Sequence, residues 1–525
     1  MLATEQSVVP GFTALSTRPA FELSGVTMDV SSQMSAPAGH MMVPVLQRST
    51  VLPTRSWSGN GPSPASAEAS SISVASRFTP SFYPLPLRCA KEGVPTEVAR
   101  MLIALFLLAA GTPHGLEGLD ALYPQLDALY LDLHQNPELS MKEEKTAAKL
   151  ADQLRKLGYE VTTGVGGTGV VGVLRNGKGP TVLLRTELDA LPIEEKTGLP
   201  YASHVTATNP AGQTVPVMHA CGHDVHMSSW VGAASLLARE KDRWRGTLVM
   251  VGQPGEETVQ GAEAMIKDGL VTRFPKPDYC LAVHDSHDAP SGRVMVQPGY
   301  AMANVDSIDV SIFGKSGHGA HPEATVDPVV IAARTVLALQ TLVSREKDPF
   351  EPAVLTVGSI HGGTKYNIIP DEVKLQITLR TYKPEVRKMF LDGIARIAKA
   401  EAAAANAPKE PVVKVAESAN ALYNDPALSR RLLSMLGREL GTENVVEWHP
   451  EMVAEDFGEL CRAAGSPSVQ MRVGAAEPAK YEAAMKSGTS LPSLHSSGFA
   501  PDRARTIRTA TSALTLSALE LLGKP

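Results

Sequence analysis

The stretch Met218-His219-Ala220-Cys221-Gly222-His223-Asp224-Val225-His226 places one thiol and three imidazoles within nine residues. Gln253-Pro254-Gly255-Glu256-Glu257 follows, a carboxylate pair at the end of an apolar run. Soft and borderline donors followed by adjacent carboxylates suit a divalent transition metal with a base beside it, the equipment of metal-assisted hydrolysis. Cys221 and His223, two apart on an extended loop, can serve one metal or a neighbouring pair, and a thiolate supplies the negative charge that a bridging ligand needs. Glu256 and Glu257 cannot point the same way on extended backbone. One is then free to bind metal while the other faces substrate as a general base. For His219 and His226 the choice between supporting a ligand through a hydrogen bond and having no such role stays open.

His284 and His495 are lone histidines, each after a strand-like or loop segment near other motifs, and are candidate ligands on that ground. His318 and His321 lie in Gly314-Lys315-Ser316-Gly317-His318-Gly319-Ala320-His321-Pro322, where glycines let backbone approach a ligand closely. His321 reads as part of an ordinary turn and His287 as a surface residue. Ser316 makes no nucleophile elbow, because His318 replaces the closing glycine of that motif. HExxH, P-loop and dinucleotide-binding glycine patterns are absent from the sequence,.

The chain has 525 residues, 43% hydrophobic and 20% charged, the balance of a globular protein of more than one domain,. A net charge of −6 with no long basic block argues against a nucleic-acid partner,. Cys89, Cys221, Cys280 and Cys461 are scattered, which excludes a disulfide framework and a paired CxxC site,. Apart from Cys221 they read as ordinary buried or unstructured thiols.

Residues 1–98 are rich in Ser, Pro, Thr and Ala without helical or strand period, so the expectation is disorder, or an extension ahead of a translation start near Met101,. Residues 99–112 contain the apolar run Met101-Leu102-Ile103-Ala104-Leu105-Phe106-Leu107-Leu108, behind one arginine and ahead of small residues. The run is too short to span a bilayer and fits the core of a secretory signal. Export to a periplasm or the extracellular space is expected if it is one, and a cytoplasmic location otherwise. No integral membrane span is expected.

From Leu119 the pattern becomes regular. Leu122, Leu126, Leu129 and Leu133 predict a helix, Lys142–Leu157 a second one stopped by Gly158, and about Met227–Arg239 a third. Val170–Leu174, Thr181–Leu184, Gly246–Gly252 and Tyr279–Val283 predict buried strands. The alternation points to an α/β domain with a mostly parallel sheet flanked by helices, its site gathered at the carboxyl ends of the strands. Val305–Phe313, a helix from about Pro328 to Arg345, Ala353–Ile360, Glu372–Thr381 and a helix from Pro384 to about Ala405 predict an inserted ferredoxin-like α+β unit. The organisation is therefore 113–302 as the first part of a catalytic domain, 303–415 as a satellite, lid or dimerisation domain, and 416–525 as the second part.

Taken together, Glu187-Leu188-Asp189-Ala190-Leu191-Pro192, Cys221-Gly222-His223-Asp224, Glu256-Glu257, Gly317-His318 with Asn367-Ile368-Ile369-Pro370, and Leu494-His495-Ser496 resemble, in order, the motifs of the metal-dependent amidohydrolases that include hippurate hydrolase, aminoacylases and indole-acetyl-amino-acid hydrolases. The resemblance covers roughly residues 119–525,. It implies a catalytic domain with an inserted lid and two divalent metal ions per subunit, zinc or manganese, with cobalt or nickel as further candidates. Cys221, His223, Glu257, His284 and His495 would be the metal ligands, with Cys221 shared. Glu256 would be the general base. His318 would reach the substrate or the developing oxyanion, across a dimer contact made by the satellite domain, and Asn367 would hydrogen-bond substrate. The reaction implied is cleavage of the amide bond of a small N-acyl amino acid by activated water. A dipeptidase, an N-acetyl-diamino-acid deacylase and a non-catalytic binding homologue are the rival readings. Two positions depart from the pattern: Glu187-Leu188 stands where relatives have Asp-Met, and Gly255 where they have Ala.

Overall fold

The computed structural model describes residues 115–524. The expectations for 1–98, for the apolar run in 99–112 and for Cys89 fall outside the described residues.

Leu126, Leu129 and Leu133, at helical spacing, bury one face of α1, Leu119–Gln135,. In α2, Glu144–Lys156, the buried face is Ala147, Leu150, Ala151 and Leu154, and Gly158 ends the run in a left-handed conformation,. Next come β1, Glu160–Val165, β2, Gly169–Asn176, β3, Thr181–Glu187, α3, His223–Arg239, β4, Gly246–Gln253, β5, Tyr279–Pro290, and the short β6, Val294–Val296.

The chain then builds a second sheet from β7, Val305–Phe313, α4, Pro328–Thr341, β8, Ala353–Gly362, β9, Glu372–Thr381, α5, Pro384–Ala404, and β10, Val412–Ala419. Its order is β8-β9-β7-β10, antiparallel throughout, in the βαββαβ succession of a ferredoxin-like unit. Ile308, Val310 and Ile312 alternate with polar residues along β7 and meet Ile331 and Leu339 of α4 and Phe390 and Ile394 of α5,. The fourth strand runs past residue 415, since Ala419 still pairs with Val305. Asn304 ties two chain crossings of this unit: its Oδ1 accepts the Thr381 N–H at 2.6 Å and its amide donates to Asp306 at 2.7 Å. Among the described residues, Pro328–Glu346 is the helical stretch long and apolar enough to cross a membrane. Here its Ile331, Ala332, Leu339 and Leu342 are part of the small sheet's core.

α6, Pro426–Leu440, β11, Val445–Glu447, α7, Phe457–Ala464, β12, Ser468–Ala476, and α8, Arg503–Leu521, complete the large sheet and its cover. The sheet runs β1-β2-β4-β3-β5-β12-β6-β11. It is mostly parallel, as expected, with antiparallel pairs toward its edges: β4, β3, β5 and β12 run parallel through the centre and β6 runs parallel to β11, while the β1–β2, β2–β4 and β12–β6 pairs are antiparallel. β1 and β2 are joined by a tight turn through Gly166 and Gly167, too short for a parallel crossover,.

Period-two alternation sorts the central strands into two layers. Val182, Leu184, Leu248, Met250, Leu281 and Val283 face α3 and α8. Leu183, Val249, Val251, Cys280 and Ala282 face Phe457, Leu460 and Cys461 of α7. α3 is buried almost all round, and Trp230 anchors it to the sheet with a 2.9 Å hydrogen bond from its indole N–H to the Leu184 carbonyl.

Element boundaries differ from expectation where they matter most. α3 starts at His223, not near Met227, because Gly222 adopts φ 75° and turns the chain into the helix,. Glu187 closes β3 instead of following it, and His284 lies inside β5, which runs on to Pro290.

The carboxyl end of β3 is held by a buried guanidinium. Arg185 is 1% exposed, pairs with Glu187, donates to Glu455 at 2.8 Å and to Asp456 at 3.2 Å, and takes Gln253 Oε1 at 3.0 Å. Removing one partner of such a buried network strands the others. Arg185→Met is therefore expected to lower unfolding free energy by about 3–5 kcal/mol, measured by denaturant titration; a loss below about 1 kcal/mol would show that the network is solvated.

Candidate metal centre and active site

The site forms where β3 and β4 end and α3 begins, with His284 from within β5 and a last residue from the loop before α8. Gly222 has no room for a side chain: a Cβ there would lie 2.3 Å from Asp285 Oδ2. That close approach brings Cys221 and His223 against β5. The two lie in a tight turn entering a helix, not on an extended loop, yet both reach one centre. Cys221 Sγ is 3.5 Å from His284 Nε2 and 3.2 Å from His495 Nε2. His223 Nε2 is 3.9 Å from Glu256 Oε2 and 3.8 Å from Glu257 Oε1, and His495 Nε2 is 3.3 Å from Glu257 Oε1. Glu256 and Glu257 sit in a turn, so the argument from extended backbone does not hold, and both carboxylates face His223.

Two donor sets overlap on the thiol. Cys221, His223 and His284 offer ligand atoms within 4.8 Å of one another, and so do Cys221, Glu257 and His495. His223 Nε2 and Glu257 Oε1 are buried without a hydrogen-bond partner. Buried polar atoms left without hydrogen bonds are costly, and a divalent cation between them would satisfy them. The donor chemistry of thiolate, imidazole and carboxylate fits such an ion.

Protonation tells the same story. Burial pushes the Cys221 thiol well up, helped by Glu257 and Glu256. Burial would lower His223, but the hydrogen bond to Asp189 and the charges of Glu187 and Asp189 outweigh it and raise its pKa to about 10. Protons on Cys221 and His223 thus neutralise a centre rich in carboxylates. His284 is held neutral, well below its ordinary value, by burial and by His226 and Arg472. Burial, Glu455 and Glu257 push Glu256 well above the carboxylate range.

A supporting layer fixes these side chains. His223 Nδ1 lies 2.8 Å from the Asp189 carbonyl. Asp189 Oδ2 accepts the Glu257 N–H at 3.0 Å and the Ser140 hydroxyl at 2.6 Å. His226, left open on sequence, is buried between Glu187 Oε2 at 3.1 Å and Asp285 Oδ1 at 3.2 Å. Burial lowers His219 to about 4, and neither of its ring nitrogens has a hydrogen-bond partner. His134 Nδ1 is 2.6 Å from Asp224 and its Nε2 3.2 Å from Glu195. Arg185 was passed over in the sequence, where its signal is a charge within the apolar run Thr181–Glu187. The partners of His134 and His226 lie far off in sequence, and no local pattern pairs them.

His318 and Asn367 are not in this cluster. They meet on a two-stranded ladder in the satellite unit, where His318 pairs with Ile368 and the Gly319 N–H donates to the Asn367 carbonyl at 2.9 Å. His318 is exposed and its Nδ1 accepts the Ala320 N–H at 3.0 Å. Among the described residues no hydrogen bond or ion pair joins either of them to Cys221, His223, Glu256, Glu257, His284 or His495. His321 is exposed beside Glu323. His287 is half-buried, not a surface residue, because β5 continues through it.

Comparison with known proteins bears on the family and the fold. The model of Peptidase family M20/M25/M40 matches residues 183–486. Thermostable carboxypeptidase 2 of Saccharolobus solfataricus is 37% identical over 337 residues, 63% of this chain and 81% of that protein. The hippurate hydrolase of Campylobacter jejuni is 37% identical over 332 residues, 63% of this chain and 83% of that protein. Among solved structures, the YxeP protein of Bacillus subtilis, described as a dinuclear metal binding peptidase, superposes with a TM-score of 0.61 at 27% identity, over 77% of this chain and 100% of that one.

The His134 clamp makes stability depend on pH. Burial alone would lower its pKa, but the hydrogen bonds to Asp224 and Glu195 raise it from 6.5 to about 9. A raised histidine contributes stability that is complete below its unfolded pKa and lost as pH rises through its folded one. Melting temperature is expected to fall between about pH 6.5 and pH 9 by an amount equivalent to roughly 3 kcal/mol, and His134→Gln to flatten that slope,. An unchanged slope in the variant would remove His134 from this role.

Proposed function

The chain belongs to Peptidase family M20/M25/M40, and from that premise we propose that it hydrolyses the amide bond of N-acyl amino acids at a two-metal centre held by Cys221, His223, Glu257, His284 and His495. The observation that carries this reading is the position of Cys221 Sγ in both donor sets, beside the unpartnered His223 Nε2 and Glu257 Oε1. Zinc or manganese suits these donors. Bound there, divalent cations supply Lewis acidity that polarises a carbonyl and lowers the pKa of water.

The chain's own residues do the rest. Glu256 is buried at 8% exposure beside Glu257, Glu455 and Asp456, and its carboxyl holds a proton readily. It takes the proton from the attacking water and returns it to the leaving amine. His223 and His226 are oriented by Asp189, Glu187 and Asp285, so the donors need little reorganisation,. His318 supplies a donor for the developing oxyanion: with Nδ1 accepting from Ala320, the neutral ring carries its proton on Nε2,. His318, which has no hydrogen bond to the cluster, acts in this reading across a dimer contact made by the satellite unit, and Asn367 beside it hydrogen-bonds substrate. Val330 and Leu337, seven residues apart on α4, are 55% and 73% exposed, an apolar stripe suited to that contact,. The carboxypeptidase among the relatives supports short peptides as the second substrate class.

Glu256→Gln is expected to reduce turnover of an N-acyl amino acid by more than about 10³-fold while metal content stays at the wild-type level; a variant that still turns over removes Glu256 as the base. Cys221→Ser is expected to lower metal occupancy. Equal release of amino acid from hippurate-like and dipeptide substrates would overturn the substrate class. Leu337→Glu is expected to convert a dimer to a monomer by light scattering, with loss of turnover; a monomeric wild-type enzyme of full activity would rule out the dimer reading.

A further inference from the structure

Glu143 has no part in the mechanism above, yet it is fully buried. It stands at the start of α2 without using its side chain to cap that helix. Its carboxylate instead reaches across to the loop after β4. Oε1 accepts the Gly255 N–H at 2.8 Å and the Met141 N–H at 2.7 Å, and Oε2 accepts the Thr168 hydroxyl. Gly255 is the residue before Glu256.

We propose that Glu143 is a positioning residue for the Glu256–Glu257 turn, which it pins through the backbone N–H of Gly255. This rests on the reading of Glu256 as base and Glu257 as ligand.

The backbone around the pin is strained in a way that requires external restraint. Met141, Val259, Asn406 and His495 are the non-glycine residues with left-handed φ among the described residues. Met141, at φ 62°, is held by Glu143 itself, and Val259, at φ 57°, closes the turn with a 2.8 Å bond from its N–H to the Glu256 carbonyl. A branched residue in that region is strained and persists only where its surroundings over-determine it. Gly255 is left-handed as well, and a Cβ on it would lie 2.6 Å from Met141 Sδ. The segment 140–143 therefore grips the turn twice: Glu143 holds Gly255, and Ser140 orients Asp189, which takes the Glu257 N–H. The grip is held at a cost, since burial, with Asp189 nearby, pushes Glu143 up to about 7.

The test separates reach from charge. Glu143→Ala removes the acceptor. Glu143→Asp keeps the charge but is one methylene too short. Glu143→Gln keeps an oxygen that can accept both N–H groups. Hydrogen exchange of the 253–260 segment, read by mass spectrometry on the full chain, needs neither metal nor substrate. It is expected to rise about 10-fold in the Ala and Asp variants and stay near wild type in the Gln variant. Turnover is expected to fall by about 10- to 100-fold in the first two, through kcat with KM little changed, and to be restored by Gln. Wild-type exchange in the Asp variant would overturn the proposal. So would a Gln variant as mobile as Ala. A wild-type enzyme that binds no metal would sink the functional reading, whereas the exchange result would still decide the pin.

Discussion

The constraint on which the site depends is an excess of buried negative charge. Glu187, Asp189, Glu256, Asp285, Glu455 and Asp456 are all buried at the carboxyl ends of the central strands. Arg185 neutralises one side of the group, and the His226 ring sits between Glu187 and Asp285 on another. What remains faces Cys221 and His223, where protons take up the balance. A buried carboxylate group is tolerated only when it is paired or coordinates a cation. The fold therefore presents a centre whose electrostatics call for metal, and His223 Nε2 and Glu257 Oε1, buried without hydrogen bonds, show where.

The rest of the architecture follows from that requirement. The parallel centre of the sheet brings the ends of β3, β4 and β5 side by side, so donors distant in sequence become neighbours. Gly222 turns the chain into α3 at the one spot where a side chain would strike Asp285. Strained backbone recurs at the pieces that aim ligands, as with His495 at φ 62° and Val259 beside the paired glutamates. The satellite sheet has its own core, so His318 and Asn367 can move with it as a unit without disturbing the metal donors.

Much of this was legible in the sequence. Cys221, His223, Glu256, Glu257, His284 and His495 could be picked out because each stands in a distinctive local context, and the structure brings all six together. The small sheet was legible from alternation along Val305–Phe313 and Glu372–Thr381, which recur as strands with the same ends. The parallel centre of the large sheet was legible too, but its antiparallel edge pairs were not, because strand direction there depends on which strands become neighbours. The pairings of Arg185 with Glu455 and Asp456, of His134 with Asp224, and of Glu143 with Gly255 were invisible for the same reason: tertiary contact, not spacing, creates them. The start of α3 was misjudged because Gly222 reads locally as a loop residue, while its left-handed φ makes it the entry to a helix.

The central claim is that bound cations replace protons at Cys221 and His223. Calorimetric titration of the metal-free protein with zinc or manganese, repeated in buffers of different ionisation enthalpy, counts metals and released protons together. Two cations per chain and proton release near neutral pH are expected. Binding of fewer than two, or of two without proton release, would contradict it.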